Sequence, residues 1–210
     1  MKYSSKLDVC PLRSEQISKA VTIHQAAFPG FFLTFLGPAF LKLLYHFYVR
    51  GKTEIALAGE YNGQIVATLL GTIRPQGFYK RLAICHFTLF AMACFMPLLR
   101  QPTIFPRLLR ALFYRGDAPL SATGGALLAS VCVDPMFKKK GTGKKLVLAF
   151  ENKCFEMGAQ FVYLTTDRNN NKAVHEFYER LGWSVESEFT TPQGRSMCRY
   201  WKKISQPVIQ

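Results

Sequence analysis

Acidic side chains are scarce in this sequence. Thirteen Asp and Glu stand against 27 Lys and Arg, a formal net charge of +14 over 210 residues. That excess favours a polyanionic partner: a phosphorylated small molecule, nucleic acid or an anionic membrane surface. Several other features are absent. The six cysteines (10, 85, 94, 132, 154 and 198) include no CxxC pair and have no His at metal-ligand spacing, so neither a disulfide scaffold nor a metal centre is expected, and they read as small apolar side chains in a reducing compartment. Met1 to Val9 lacks the apolar stretch of a secretory signal, which makes the cytoplasm the expected location. No internal repeat or low-complexity tract divides the chain, and its length suits one domain spanning residues 1–210. Neither a recognition-helix signature nor an RNA-binding aromatic motif is present, so no nucleic acid is expected.

The densest basic cluster surrounds a loop. Leu127 to Val133 is an apolar, β-branched run that stops at Asp134-Pro135. Lys138, Lys139, Lys140, Lys144 and Lys145 then flank Gly141-Thr142-Gly143, and a helical pattern begins. Strand, glycine-bearing loop and helix N-terminus form the arrangement that holds a pyrophosphate. Unpaired N–H groups and the positive end of the helix dipole converge there, and glycine lets a phosphate approach the main chain. The spacing does not match the nucleoside-triphosphate loop GxxxxGK[ST], and Leu146 stands where the dinucleotide fingerprint needs its third glycine.

A second block follows. Phe161 to Thr166 reads as a strand, Asp167 to Asn170 as a turn, and Val174, Phe177, Tyr178 and Leu181 recur at i, i+3, i+4 and i+7 on a short helix. Asn171 suits the N-cap of that helix and Gly182 its C′ position.

Together the two blocks, from about Ala126 to Trp201, resemble the GCN5-related N-acetyltransferases (GNAT), bacterial-type. The first matches (Q/R)-x-x-G-x-(G/A) after a strand ending V-x-P, with Lys138 in the first basic slot. The second matches N-x-x-A-x-x-F-Y-x-x-x-G-F, with Ala173 one place early and Trp183 replacing Phe. The resemblance implies an α/β (α+β) fold with a central mixed, mostly antiparallel sheet splayed at the acetyl-CoA site. It further implies that Lys138, Lys139, Lys140, Gly141, Thr142, Gly143 and Lys144 cradle the pyrophosphate, that Val131, Cys132 and Val133 pair with pantetheine, and that Asn171 touches the cofactor arm. Acetyl-CoA is then the co-substrate, with no metal.

In the same resemblance Tyr178 is the proton donor to the departing thiolate, a phenol near its ordinary pKa of about 10. Backbone N–H groups near Cys132 and Val133 would hold the thioester oxygen. A nucleophilic Cys132 is disfavoured, since the sequence offers it no recognisable His partner. The general base is open among Glu54, Glu60, Asp117 and the histidines 24, 46, 86 and 175, with His175 read as exposed and a water-mediated base preferred.

Upstream, periodicity predicts a strand at Lys6–Val9, a helix from Ser14 (a candidate cap) to Ala27, an apolar link Phe31–Leu36 and a helix Pro38–Val49. Two strands follow, Glu54–Tyr61 and Gln64–Ile73, joined at Asn62-Gly63. In the GNAT resemblance the link forms one wall of the acceptor site, lined by Phe31, Phe32 and Phe35 unless these rings are buried in the core. Downstream, strands are expected at Trp183–Phe189 and Ser196–Lys203, with helices at Gly141–Met157 and Asn171–Leu181.

An apolar, basic helical insertion, approximately residues 74–120, precedes the fourth strand. Leu82 to Leu99 holds eighteen residues without formal charge, and Arg74 to Arg115 contains seven basic residues and no acid. His86, Thr88 and Pro97, and the single sheet its flanks must share, weigh against a membrane-spanning helix. Arg107, Arg110 and Arg115 can share a rim opposite Leu108, Leu109, Leu112 and Phe113, as in helices that lie on anionic lipid. A lid over the acceptor site, a peripheral contact with the inner membrane face and a homodimer interface all remain open.

The expected activity is acetyl transfer to a primary amine; the apolar Phe31–Leu36 link and the basic apolar insertion resemble GNAT proteins of bacterial surface-polysaccharide pathways, which implies an amino sugar as acceptor. The alternatives are a non-catalytic acetyl-CoA sensor and an enzyme acting on protein amino groups.

Overall fold

The computed structural model describes residues 7–100, 124–138, 140–191 and 194–205. Asn62-Gly63 makes the hairpin that the sequence announces. Both residues have positive φ, 51° and 75°, and Tyr61 pairs with Gln64 across the turn between β2 (Glu54–Tyr61) and β3 (Gln64–Thr72). With β1 (Leu7–Pro11), β4 (Gly125–Val133), β5 (Phe161–Asp167), β6 (Ser184–Thr190) and β7 (Ser196–Lys203) they form one sheet in the order β1-β2-β3-β4-β5-β7-β6. Every neighbouring pair is antiparallel except β4 and β5. A mixed, mostly antiparallel sheet was expected, and this is its observed form.

Helices cover both faces. On one lie α1 (Ile17–Ala27), the short α2 (Phe32–Phe35) and α3 (Gly37–Arg50), which bury Ile17, Val21, Phe40, Leu44 and Tyr45. On the other lie α6 (Thr142–Glu156) and α7 (Lys172–Arg180), packed through Leu146, Val147, Phe150 and Tyr178. Strand alternation distributes side chains between the two cores. Leu70 and Cys132 face the α1/α3 layer, whereas Ala67, Leu69, Val131 and Val133 face α6 and α7.

Two local expectations need correction. Ser14 does not cap the first helix. Arg13 takes the N-cap of a 3-10 turn (Ser14–Gln16) that leads into α1, and its N–H donates to Gln16 Oε1 at 3.0 Å. Nor is the insertion one apolar helix: it divides at His86 into α4 (Phe78–Cys85) and α5 (Phe87–Arg100), bent by 101°. The bend lets both pieces reach α3, with the Phe78 ring 4.8 Å from Tyr48 and the Phe90 ring 5.8 Å from Phe40. Arg81 fastens the turn before α4, donating to the carbonyls of Arg74 and Gln76 at 2.6 Å each and to Glu54 at 3.3 Å. Among the described residues no single helix is long and apolar enough to cross a membrane. The amphipathic pattern at 104–115 lies outside the described residues.

Candidate functional site

Between β4 and β5 the sheet opens. The two strands pair only from Gly125 to Leu127, opposite Phe161 to Tyr163; beyond that, β4 stays with β3 and β5 stays with β7. One edge of β4 from Leu128 to Val133 is therefore unpaired. The direction of its polar groups follows from a single bond, Asp134 N–H donating to Val66 O on β3 at 2.8 Å. Main-chain groups alternate between the two edges of a strand. Cys132 thus turns its N–H toward β3, while Val131 and Val133 turn theirs into the opening. This corrects the expected pair of carbonyl-holding donors: Val133 faces the gap, and Cys132 does not.

The loop after β4 brings a helix N-terminus to the same place. Asp134 caps a 3-10 turn (Pro135–Phe137) by accepting from Met136 N–H at 3.0 Å. Gly141, at φ +77°, is the N-cap of α6, a conformation that a side chain would strain. Gly143 does something different. A Cβ there would lie 3.4 Å from the Phe177 ring and 3.9 Å from Val133, so the missing side chain keeps a gap open between β4 and α7. Thr142 is buried in the first turn of the helix, whereas Lys138, Lys140 and Lys144 are exposed around it. Lys140 sits over the Phe137 ring at 4.8 Å, Lys145 donates to Leu7 O at 3.2 Å, and Lys139 lies outside the described residues. Unpaired N–H groups and three exposed ammonium groups suit a pyrophosphate, and an open strand edge suits the amides of a pantetheine arm.

Asn171 occupies the N-cap position of α7, but its side chain makes no cap bond. It donates instead to Thr166 Oγ1 at 2.8 Å and Asp167 O at 3.0 Å, tying α7 to the end of β5. Tyr178 is buried against Phe177, Trp183 and Tyr200. Its hydroxyl has no hydrogen-bond partner among the described residues. Burial, then the neighbouring Cys132, pushes the phenol well above its ordinary value. The group is therefore held as a donor through the neutral and basic range, and the ordinary value of about 10 expected from sequence does not apply.

Beneath the opening lies a polar cluster that the sequence did not reveal. His24 Nδ1 is 3.2 Å from the Tyr45 hydroxyl and 3.6 Å from Cys132 Sγ, and the same hydroxyl is 3.1 Å from Thr68 Oγ1. Cys132 does have a histidine partner, contrary to expectation. Burial pushes the thiol up to about 12 and the imidazole down to about 4, so both groups are neutral near pH 7 and no thiolate–imidazolium pair forms. A signal existed in the sequence: Ile17, Val21 and His24 fall on one helical stripe, which turns His24 inward.

The link expected to wall the acceptor site carries exposed rings beside one ion pair. Phe31 and Phe35 are 47% and 52% exposed, so neither is withdrawn into the core. The Phe31 ring packs 4.9 Å from Phe28 and 5.8 Å from the Arg195 guanidinium on the β6–β7 turn. Arg195 in turn forks onto Asp167 at 2.7 Å to each oxygen, at the end of β5. The side chain of Phe32 is outside the described residues.

The base candidates are mostly committed elsewhere. Glu54 is held by Thr53 and Arg81, and Glu60 accepts from Gln16 at 2.6 Å and Arg13 at 3.0 Å, bonds that hold it below the usual carboxylate range. His175, expected to be exposed, bonds the Tyr200 hydroxyl at 2.9 Å and Arg168 O at 3.0 Å. Asp117 lies outside the described residues. No cluster of three potential metal ligands occurs among the described residues.

Residues 108–183 match the model of the acetyltransferase (GNAT) family, a stretch whose described part runs from β4 through α7. Solved structures share the whole fold. An N-acetyltransferase from Staphylococcus aureus Mu50 superposes with a TM-score of 0.63 at 11% identity, covering 96% of this chain and 100% of that one. The ribosomal-protein-S18-alanine N-acetyltransferase from Escherichia coli gives 0.57 at 15% identity, covering 96% of each chain. The PaiA N-acetyltransferase from Thermoplasma acidophilum, in complex with coenzyme A, gives 0.58 at 13% identity, covering 94% and 99%. No curated protein sequence matches significantly.

Proposed function

We propose that this chain, which carries an acetyltransferase domain of the GNAT family, moves the acetyl group of acetyl-CoA onto a primary amine. The observation that carries the reading is the opening itself. Unpaired main chain of β4 and the N-terminus of α6 flank the place where β4 and β5 part, and the buried Tyr178 hydroxyl, which feels Cys132 of β4, has no hydrogen-bond partner among the described residues.

In this mechanism exposed Lys138, Lys140 and Lys144 and the first N–H groups of α6 hold the pyrophosphate. Val131 and Val133 pair with the pantetheine amides, and a β4 N–H facing the gap donates to the thioester oxygen in the manner of an oxyanion hole. The neutral amine attacks the carbonyl carbon, the C–N bond forms and the C–S bond breaks. The thiolate receives a proton from the buried Tyr178 hydroxyl, and the proton lost by the attacking amine passes through water back to the Tyr178 oxygen. Cys132, held as a thiol, takes no covalent part.

The acceptor best suited to the chain is an amino sugar of surface-polysaccharide synthesis, carried on a nucleotide or a lipid. Either form is anionic and complements seven basic residues with no acid between Arg74 and Arg115. The lipid-linked form would place the enzyme at the inner membrane face. Incubation with acetyl-CoA and matched acceptors (nucleotide-linked amino sugars, free amino sugars, polyamines and peptides) tests the assignment. Preferential turnover of the nucleotide-linked sugar supports it; preferential turnover of peptides replaces it.

A further inference from the structure

We propose that the outer face of the α4–α5 pair is a monotopic docking surface for an anionic lipid bilayer. A helix on the surface of a globular domain ordinarily presents a polar side to water, whereas one apolar all round needs cover on every side. α5 buries Phe90, Ala93 and Cys94 against the domain, and its opposite side carries Phe87, Leu89, Met92, Phe95 and Leu99 in the open. Ile84 of α4 joins them. Phe87 and Met92 are each 72% exposed, a degree expected of lysine more than of phenylalanine or methionine.

No single described helix here is long and apolar enough to span, and the bend suits a shallow arrangement. α4 and α5 meet at 101°, and α5 has 14 residues, short of the ~20 that cross a bilayer. Charge selects the occupant. The segment from Arg74 to Arg115 carries seven cations without an acid, and exposed Lys80 stands on α4 itself. Apolar side chains together with exposed Lys80, in a segment without an acid, complement the acyl boundary and headgroups of an anionic leaflet. The face also lies close to the reaction. α5 runs back along α3, with His86 beside Phe47 and Phe90 beside Phe40, toward the Gly37 end where α3 meets the Phe31–Leu36 link. A bilayer on this face would lie beside the wall assigned to the acceptor.

The test is co-sedimentation of the full chain with phosphatidylcholine vesicles, alone or mixed with phosphatidylglycerol, at low salt. The comparison is a Phe87→Asp/Met92→Asp variant, whose altered side chains already face outward. Calorimetry with acetyl-CoA and thermal melting monitor the fold. The proposal expects sedimentation with the anionic vesicles only, and a loss of about tenfold or more in the variant at unchanged melting temperature and cofactor affinity. Three results would overturn it. Equal vesicle binding by the variant would mean that charge alone suffices. A wild-type dimer that the substitutions dissociate, without vesicle binding, would make the face a contact between copies. A melting temperature lowered by many degrees would mean that the face is covered within the chain. None of these readouts depends on turnover, so the acetyltransferase reading stands or falls separately.

Discussion

Cys132 Sγ lies 3.6 Å from His24 Nδ1, and both groups are uncharged near neutral pH. A thiol beside an imidazole ordinarily invites a covalent mechanism, yet burial raises one pKa and lowers the other, the reverse of what a nucleophilic pair requires. Cys132→Ala should therefore retain activity within roughly tenfold, below the loss typical of a removed catalytic group. Mass spectrometry of the wild type quenched during turnover should find no acetyl group on Cys132. An acetylated Cys132 that forms and decays at the turnover rate would reverse this conclusion.

His24 also sets a pH dependence of stability. Its folded pKa, about 4, lies below the unfolded value of ~6.5, so the unfolded chain takes up the proton first. The stability associated with neutral His24 is complete above pH ~6.5 and falls as pH drops toward 4, by about 3 kcal/mol if the whole shift is realised. Melting temperature should decline from pH 6.5 to 5, a window above most carboxylate titrations, and the slope should fall in His24→Phe to the part left by His46, whose pKa is also lowered, by burial and by Arg50. A slope unchanged in the variant would assign the effect to another group.

Tyr178→Phe keeps the ring among Phe177, Trp183 and Tyr200 and removes only the hydroxyl. kcat should fall by roughly ten- to a thousand-fold, with little change in acetyl-CoA affinity. Because burial raises this phenol well above its ordinary range, the wild-type rate should show no descending limb from it below pH ~10. An unaltered kcat would mean that water protonates the thiolate.

Gly143→Asp inserts a carboxylate between Val133 and Phe177, where a Cβ alone already touches the Phe177 ring at 3.4 Å. The gap should close and acetyl-CoA affinity should drop by more than about tenfold, through lost space and added negative charge near the pyrophosphate. Circular dichroism should remain that of the wild type. Unchanged affinity by calorimetry would remove the loop from the cofactor site.

Most of the framework was legible because it rests on local rules. Asn62-Gly63 fixed a hairpin, Ser196–Lys203 alternated as a strand, and the Gly141–Gly143 loop stood between a β-branched run and a helical stripe. What escaped was long-range or geometric. His24 and Cys132 are separated by 108 positions and meet only because α1 packs over β4. The direction of the Cys132 N–H depends on pairing with β3, which composition does not encode. The break at His86 is set by the need of both Phe78 and Phe90 to reach α3, while the hydropathy of Leu82 to Leu99 is uniform. Asn171 held its predicted position, but a shorter route to Thr166 and Asp167 redirected its amide.

The most direct test follows free thiol while the protein turns over acetyl-CoA in the presence and absence of a panel of primary amines. The account predicts thiol release that depends on an added amine, saturates with it and is suppressed in Tyr178→Phe at unchanged acetyl-CoA binding. Tight acetyl-CoA binding with no amine-dependent release across the panel would contradict it and make the chain a sensor of the cofactor.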